Sequence, residues 1–274
     1  MLSKYFKHEF KNTGRLLLPA FIVDIIVTLL FSISTFAYLS VNNGDNNWEQ
    51  STTDFASGFL IVGFTMLFFV IVGISIGVSF LLIVYRFYQT MTGKEAYLTH
   101  TLPIKTSHLL LAKTINAFIW CLLIGIIALF SFFIFITVSS GKPGEMYEAF
   151  ITGLTEGLNI IDINFSYVVL AILSLIAQLF YRILHFFVAI ALGQLIKKHR
   201  IIGAVGFYLG ISSLQNTLSL FTRIGSLYQT NLGYSYISDN TLLPLFTTFV
   251  LYLALSIVFF FTTNYIFSKQ LNLE

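Results

Sequence analysis

Six stretches of this chain run almost without charge through long blocks of apolar residues: roughly 16–41, 59–85, 109–138, 164–192, 201–222 and 242–267. A helix needs about 20 apolar residues to cross the hydrocarbon core of a bilayer. No water satisfies backbone N–H and C=O groups there, so a spanning segment is a helix or a strand of a closed barrel. Barrel strands are short and alternate in polarity, unlike these unbroken runs. The sequence therefore predicts an all-α, polytopic membrane protein, one transmembrane domain over 1–274 with six spans. The fifth span is the least apolar, carrying Ser212, Ser213, Gln215 and Asn216.

Composition closes the other routes. Hydrophobic residues make up 57% and charged residues 10%, with 30 Phe, against about 45–50% and about 25% in a soluble protein. So few charges could not cover the surface of a water-soluble domain of this length. A soluble enzyme, a disordered chain and a nucleic-acid-binding domain are excluded, which leaves membrane lipid as one expected partner. Cys121 is the single cysteine, so neither an internal disulfide nor a thiolate cluster is possible. The first span is longer than a signal-peptide core and no small-residue cleavage site follows it, so it is expected to be retained.

Lys and Arg in short loops set orientation. Twelve of the 15 cations fall on one side: Lys4, Lys7, Lys11, Arg15, Arg86, Lys94, Lys105, Lys113, Lys197, Lys198, Arg200 and Lys269. The other side holds Lys142 and Arg223 together with eight of the 12 acids. The expected arrangement is multi-pass, with both termini cytoplasmic.

Three segments outside the spans carry patterns. Residues 1–15 read as an interfacial helix, with Leu2, Phe6, Phe10 and Thr13 at helical spacing and Lys4, Lys7, His8 and Lys11 around the other side. Loop 86–108 is longer than a helix–helix connection of about 2–8 residues. It mixes Tyr97, Leu98, Leu102 and Ile104 with Lys94, Glu95 and His100, a composition for docking rather than for solvent alone. Residues 139–163 have Met146, Tyr147, Phe150, Ile151 and Leu154 at helical spacing, which predicts a short amphipathic helix on the opposite side. Residues 223–241 are rich in Tyr, Gly, Ser and Asn and read as re-entrant or simply a long loop.

No reaction is written in the chain. It has no GxxxxGK[ST] phosphate loop, no HExxH, no G-x-S-x-G and no His or Cys pair at metal-ligand spacing. It is not expected to be an enzyme by itself, nor to hold a cofactor or metal. Two charges lie inside spans, Asp24 and Arg182, at depths of about 12 and 15 Å by helical rise. Each costs at least ~2.5–3.5 kcal/mol at mid-membrane. We read them, with His185 one turn from Arg182, as candidates for a substrate pathway; packing and snorkelling are the competing reading. Gly73-x-x-x-Gly77 and Gly206-x-x-x-Gly210, with Gly203, are spaced for close helix approach, either within the subunit or, for the fifth span, between subunits.

The start MLSKYFKHEFKNTGRLLLP, the loop GKEAYLTHTLPIKTSHLLLAKT and the exit ALGQLIKKHRIIGAVGFYLGI together resemble the type-2 ABC exporter permeases of Firmicute bacteria. The resemblance implies a transmembrane subunit in the bacterial plasma membrane, paired with a separate ABC ATP-binding subunit that holds ATP and Mg. It also implies a second permease, identical or homologous. The loop then corresponds to a coupling helix, with Lys94, Glu95, Tyr97, Leu98 and His100 as contacts to the ATPase. Cargo would be amphipathic or hydrophobic: a peptide antibiotic, a drug or a lipid. Two other classes compete. One is an ion-coupled secondary carrier using Asp24, although no internal repeat is evident. The other is a non-transporting membrane sensor or immunity subunit.

Overall fold

A computed structural model describes residues 2–42, 50–93, 95–97, 101, 105–139, 143–160, 165–196, 199–231 and 242–269. They form seven helices: α1 (Leu2–Asn42), α2 (Gln50–Met91), α3 (Thr106–Ser139), α4 (Pro143–Ile160), α5 (Phe165–Gly193), α6 (Arg200–Asn231) and α7 (Leu242–Lys269). Among the described residues there is no strand. Among the described residues, five helices are long and apolar enough to cross a membrane: α1, α2, α3, α5 and α7. α6 has the length, at 32 residues, but its described part is not among the five. Ser212, Ser213, Gln215 and Asn216 dilute its apolar run. α4 forms where the outer amphipathic helix is expected.

At the amino terminus the expected interfacial segment and the first span run together. No break separates an interfacial helix from the first span; α1 is one helix of 41 residues with Pro19 inside it. The reason lies in its buried face. Glu9, Thr13, Leu17, Phe21, Asp24, Thr28, Ser32 and Thr35 are all buried, at steps of three and four residues. One stripe thus passes straight through the expected junction. The stripe is mostly polar, whereas Leu18, Ile22, Val23, Leu30 and Ile33 on the other faces are exposed. Polar inside and apolar outside is the arrangement of a helix solvated by lipid. The hydroxyls satisfy themselves within the helix: Thr13 donates to the Glu9 carbonyl at 2.9 Å, Thr28 to Asp24 at 2.8 Å and Ser32 to Thr28 at 2.6 Å.

The chain divides into two compact units. The unit holding Asp24 comprises Lys7–Ile83 and Ile119–Asp162. Its core is aromatic. Phe68 and Phe135 stack with ring centroids 4.1 Å apart, and Phe31 approaches Phe68 at 6.5 Å. Trp120 stacks on Phe10 at 4.8 Å and meets Phe21 at 6.2 Å. It lies over Gly14, where a Cβ would come within 3.0 Å of the indole. Only a residue without a side chain lets α1 and Trp120 approach this closely.

The unit holding Arg182 comprises Met1–Phe6, Val84–Phe118 and Ile163–Glu274. α5 is its centre, packed on α6 and α7. From Ile183 to Ala191 α5 is buried nearly all round, as a helix apolar on every face should be. Phe87 near the end of α2 stacks on Phe187 of α5 at 3.6 Å and meets Phe267 of α7 edge-on at 6.0 Å. The buried Lys113 of α3 donates from Nζ to Thr90 Oγ1 at 2.6 Å and sits 5.7 Å from the Tyr5 ring. These contacts put the ends of α2, α5 and α7, the start of α3 and the start of α1 at one end of this unit. The connection from α5 to α6 is tight: a Cβ at Gly193 would lie 2.6 Å from the Ala204 backbone nitrogen.

Candidate functional site

α5 brings Tyr181 and His185 to the middle of the Arg182 unit, and α6 and α7 complete a polar cluster around them. The Tyr181 hydroxyl donates to Gln215 Oε1 of α6. Its ring lies 5.2 Å from Tyr252 and 5.5 Å from Phe259, both on α7. His185 is only 1% exposed. It stacks on Tyr208 of α6 at 4.7 Å and meets Phe259 at 5.7 Å. Neither ring nitrogen has a hydrogen-bond partner among the described residues. Arg182 turns the other way and is exposed. Its neighbours along that face of α5, Ile172 and Leu175, are exposed and apolar. A cation thus stands on an apolar surface at mid-helix, where it needs water, a counter-ion or another chain.

Asp24 belongs to the other unit. It is 5% exposed, and Ser131 Oγ of α3 donates to its Oδ2 at 2.9 Å. Its Oδ1 is buried with no partner among the described residues. A carboxylate there is half satisfied, which sets it apart from the self-satisfied hydroxyls on the same stripe. The hydrogen bond of the Asp24 side chain is therefore to Ser131, while His185 and Tyr181 sit with tyrosines and an amide in the second unit and Arg182 faces away from them.

The third feature is the connection between α2 and α3. Lys94, Leu98 and His100 lie outside the described residues, as do residues 102–104. Around them the chain turns sharply. Thr92 and Gly93 both donate backbone N–H to the Tyr88 carbonyl at 2.9 Å, and a Cβ at Gly93 would strike the Gln89 backbone at 2.9 Å. A helix end of this kind is glycine's place. Ala96 and Tyr97 are helical, and the Thr101 N–H reaches the Tyr97 carbonyl at 3.1 Å. Ala96 is buried, whereas Tyr97 is 68% exposed. Glu95 reaches back to Arg86 Nη1 of α2 at 3.4 Å. The turn is thus tied to α2 on one side and offers an aromatic ring to the outside on the other.

Some expectations are met only in part. Gly203 packs closely, with a Cβ position 2.7 Å from Ile196 Cδ1, but a Cβ at Gly73, Gly77, Gly206 or Gly210 would meet nothing within 4 Å. Those four have no packing partner at this position among the described residues. In 223–241, α6 continues to Asn231 and residues 232–241 lie outside the described residues. Among the described residues no three His, Cys, Asp or Glu converge as a metal site. Tyr181, Tyr208, Gln215, Tyr252 and Ser131 escape sequence reading, because hydroxyls and amides are common in membrane helices. Gln215, in the polar stretch 212–216 of the fifth span, is the one of these that the sequence marks out. Comparison with known proteins finds no family model that matches the chain, no similar curated protein and no similar solved structure.

Proposed function

We propose that this chain is the membrane-spanning subunit of an ATP-binding cassette exporter. It would span the bacterial plasma membrane six times, α6 included, with both termini cytoplasmic. ATP and Mg would be held by a separate ABC subunit, and a second permease, identical or homologous, would complete the pathway. The observation that carries this reading is the braced turn at Glu95–Tyr97. Its ring is exposed at the end of the Arg182 unit where the start of α1 and the ends of α2, α5 and α7 gather. Cations are concentrated in the same segments, so this end suits the cytoplasmic side. A force on Tyr97 would pass through the Arg86–Glu95 pair to α2, and through Phe87 to Phe187 and Phe267. The turn is thus coupled to the helices that carry Arg182 and the Tyr181–Gln215 pair. Cargo would be amphipathic or hydrophobic, with the exposed Arg182 facing the path or the second permease.

The test is co-purification. An ABC ATP-binding subunit should bind the full chain stably, and Tyr97→Ala should weaken binding about tenfold or more, as loss of a buried interface aromatic does. Transport that runs on a proton gradient without ATP would overturn the reading. That outcome would favour an ion-coupled carrier, for which the half-satisfied Asp24 is the supporting observation; Asp24→Asn would then abolish gradient-driven uptake.

A further inference from the structure

We propose that the groove between α3, α5 and α7 holds an acyl chain of a resident anionic phospholipid, with its headgroup at Lys269. The groove has a volume of about 520 Å³ and is walled by Leu111 and Ile115 of α3, Phe180 and Leu184 of α5, and Leu253 and Phe261 of α7. This falls within the range of about 300–1,000 Å³ usual for small-molecule sites. Its surface is wholly apolar. The two hydroxyls that border it are turned away: Thr114 donates to the Leu110 carbonyl at 2.9 Å and Ser256 to the Tyr252 carbonyl at 2.7 Å. Leu111, Ile115, Leu253 and Phe261 are exposed, so the groove opens sideways on helices of membrane-crossing length. Its filler is hydrocarbon rather than water.

The charge beside the groove selects the kind of lipid. On α7, Phe261 is followed at one-turn steps by Tyr265 and Lys269, both exposed. Lys269 Nζ lies 5.4 Å from the Tyr265 ring, so its ammonium is drawn back along the helix toward Phe261. Lys269 stands about 12 Å beyond Phe261 by helical rise, the separation of a headgroup from its upper chain. Lys105 and His108, exposed at the start of α3, precede Leu111 at the same end of the unit. A tyrosine and a lysine at a helix end are interfacial anchors, and clustered cations attract anionic headgroups.

Tryptophan quenching reads the occupant. The full chain carrying Phe261→Trp, with Trp48→Phe and Trp120→Phe, is reconstituted in phosphatidylcholine vesicles. These contain equal fractions of brominated phosphatidylglycerol or brominated phosphatidylcholine. The phosphatidylglycerol should quench with about fivefold higher apparent affinity, and Lys269→Gln should remove the preference. A Leu81→Trp reporter on an exposed site of α2 should show none. Equal quenching by both lipids at Phe261→Trp would overturn the proposal in favour of bulk lipid. No quenching there would overturn it in favour of a covering protein, a second copy included. Native mass spectrometry of the unsubstituted chain gives an independent reading. A phosphatidylglycerol adduct should be retained, and Ser256→Phe, which fills the groove, should displace it; an adduct unchanged by Ser256→Phe would also overturn the proposal.

Discussion

At the scale of single residues, the glycines separate cleanly by what surrounds them. Gly14→Val would drive a side chain into Trp120 and Gly193→Val into the Ala204 backbone. Each should destabilise the protein by about 1–3 kcal/mol, the usual cost of overpacking. Gly206→Ala meets open space and should leave the thermal midpoint of the purified protein unchanged. Ser131→Ala removes the hydrogen bond to the Asp24 carboxyl and should cost about 1 kcal/mol, since such bonds inside membranes are modest. In an Asp24→Asn background the same change should cost less, and a double-mutant cycle on thermal stability measures the difference. Asp24 and Arg182 were legible in the sequence because a charge inside an apolar run stands out. Ser131 was not, because it lies 107 residues from Asp24 and only folding brings them together.

At the scale of elements, α1 decides between one helix and two. Its buried stripe runs from Glu9 to Thr35, so the part before Gly14 is in register with the part after it. Inserting one Ala after Gly14 rotates the upstream segment by about 100° and should turn Glu9 and Thr13 off the buried face. A four-residue insertion, close to a whole turn, should be tolerated better. Helical content and thermal midpoint check this; an independent interfacial helix would tolerate both insertions alike. The turn after α2 makes a different prediction. The Arg86–Glu95 pair is partly exposed, and such pairs contribute about 0–1 kcal/mol. Arg86→Gln should therefore barely change stability and, if the chain works as the proposed exporter subunit, should weaken transmission from its ATPase to the helices, read as ATP hydrolysis no longer stimulated by cargo. The spans were readable because apolar length is a strong signal. Helix continuity across 14–16 was not, since a basic first turn and a hydrophobic run look the same whether joined or hinged.

At the scale of the whole molecule, the open face of α6 is the feature that the described residues leave uncovered. Gly206 and Gly210 line an exposed surface one turn apart, with Ser213 and Thr217 continuing it. Within the proposed exporter this face receives the second permease. Gly206→Leu with Gly210→Leu should then leave monomer stability unchanged but abolish cross-linking between copies. The readout is cysteine cross-linking at position 213 in a Cys121→Ala background. A dimer that survives both changes would place the contact elsewhere.

The sequence by itself determined the solvent of this protein and its class of element. Hydrocarbon thickness and unsatisfied backbone polarity leave helices as the only structures for such runs. The distribution of 15 cations likewise sets the expectation of a cytoplasmic side. Tertiary structure decided what those helices do with their few polar groups. It gave Ser131 to Asp24, set Tyr181 against Gln215 and left Arg182 on an apolar surface. It also opened a groove with no polar lining beside Lys269. These pairings depend on which helix faces meet. Helix faces meet through packing between residues far apart in the chain, and no local pattern of apolar and polar residues specifies that.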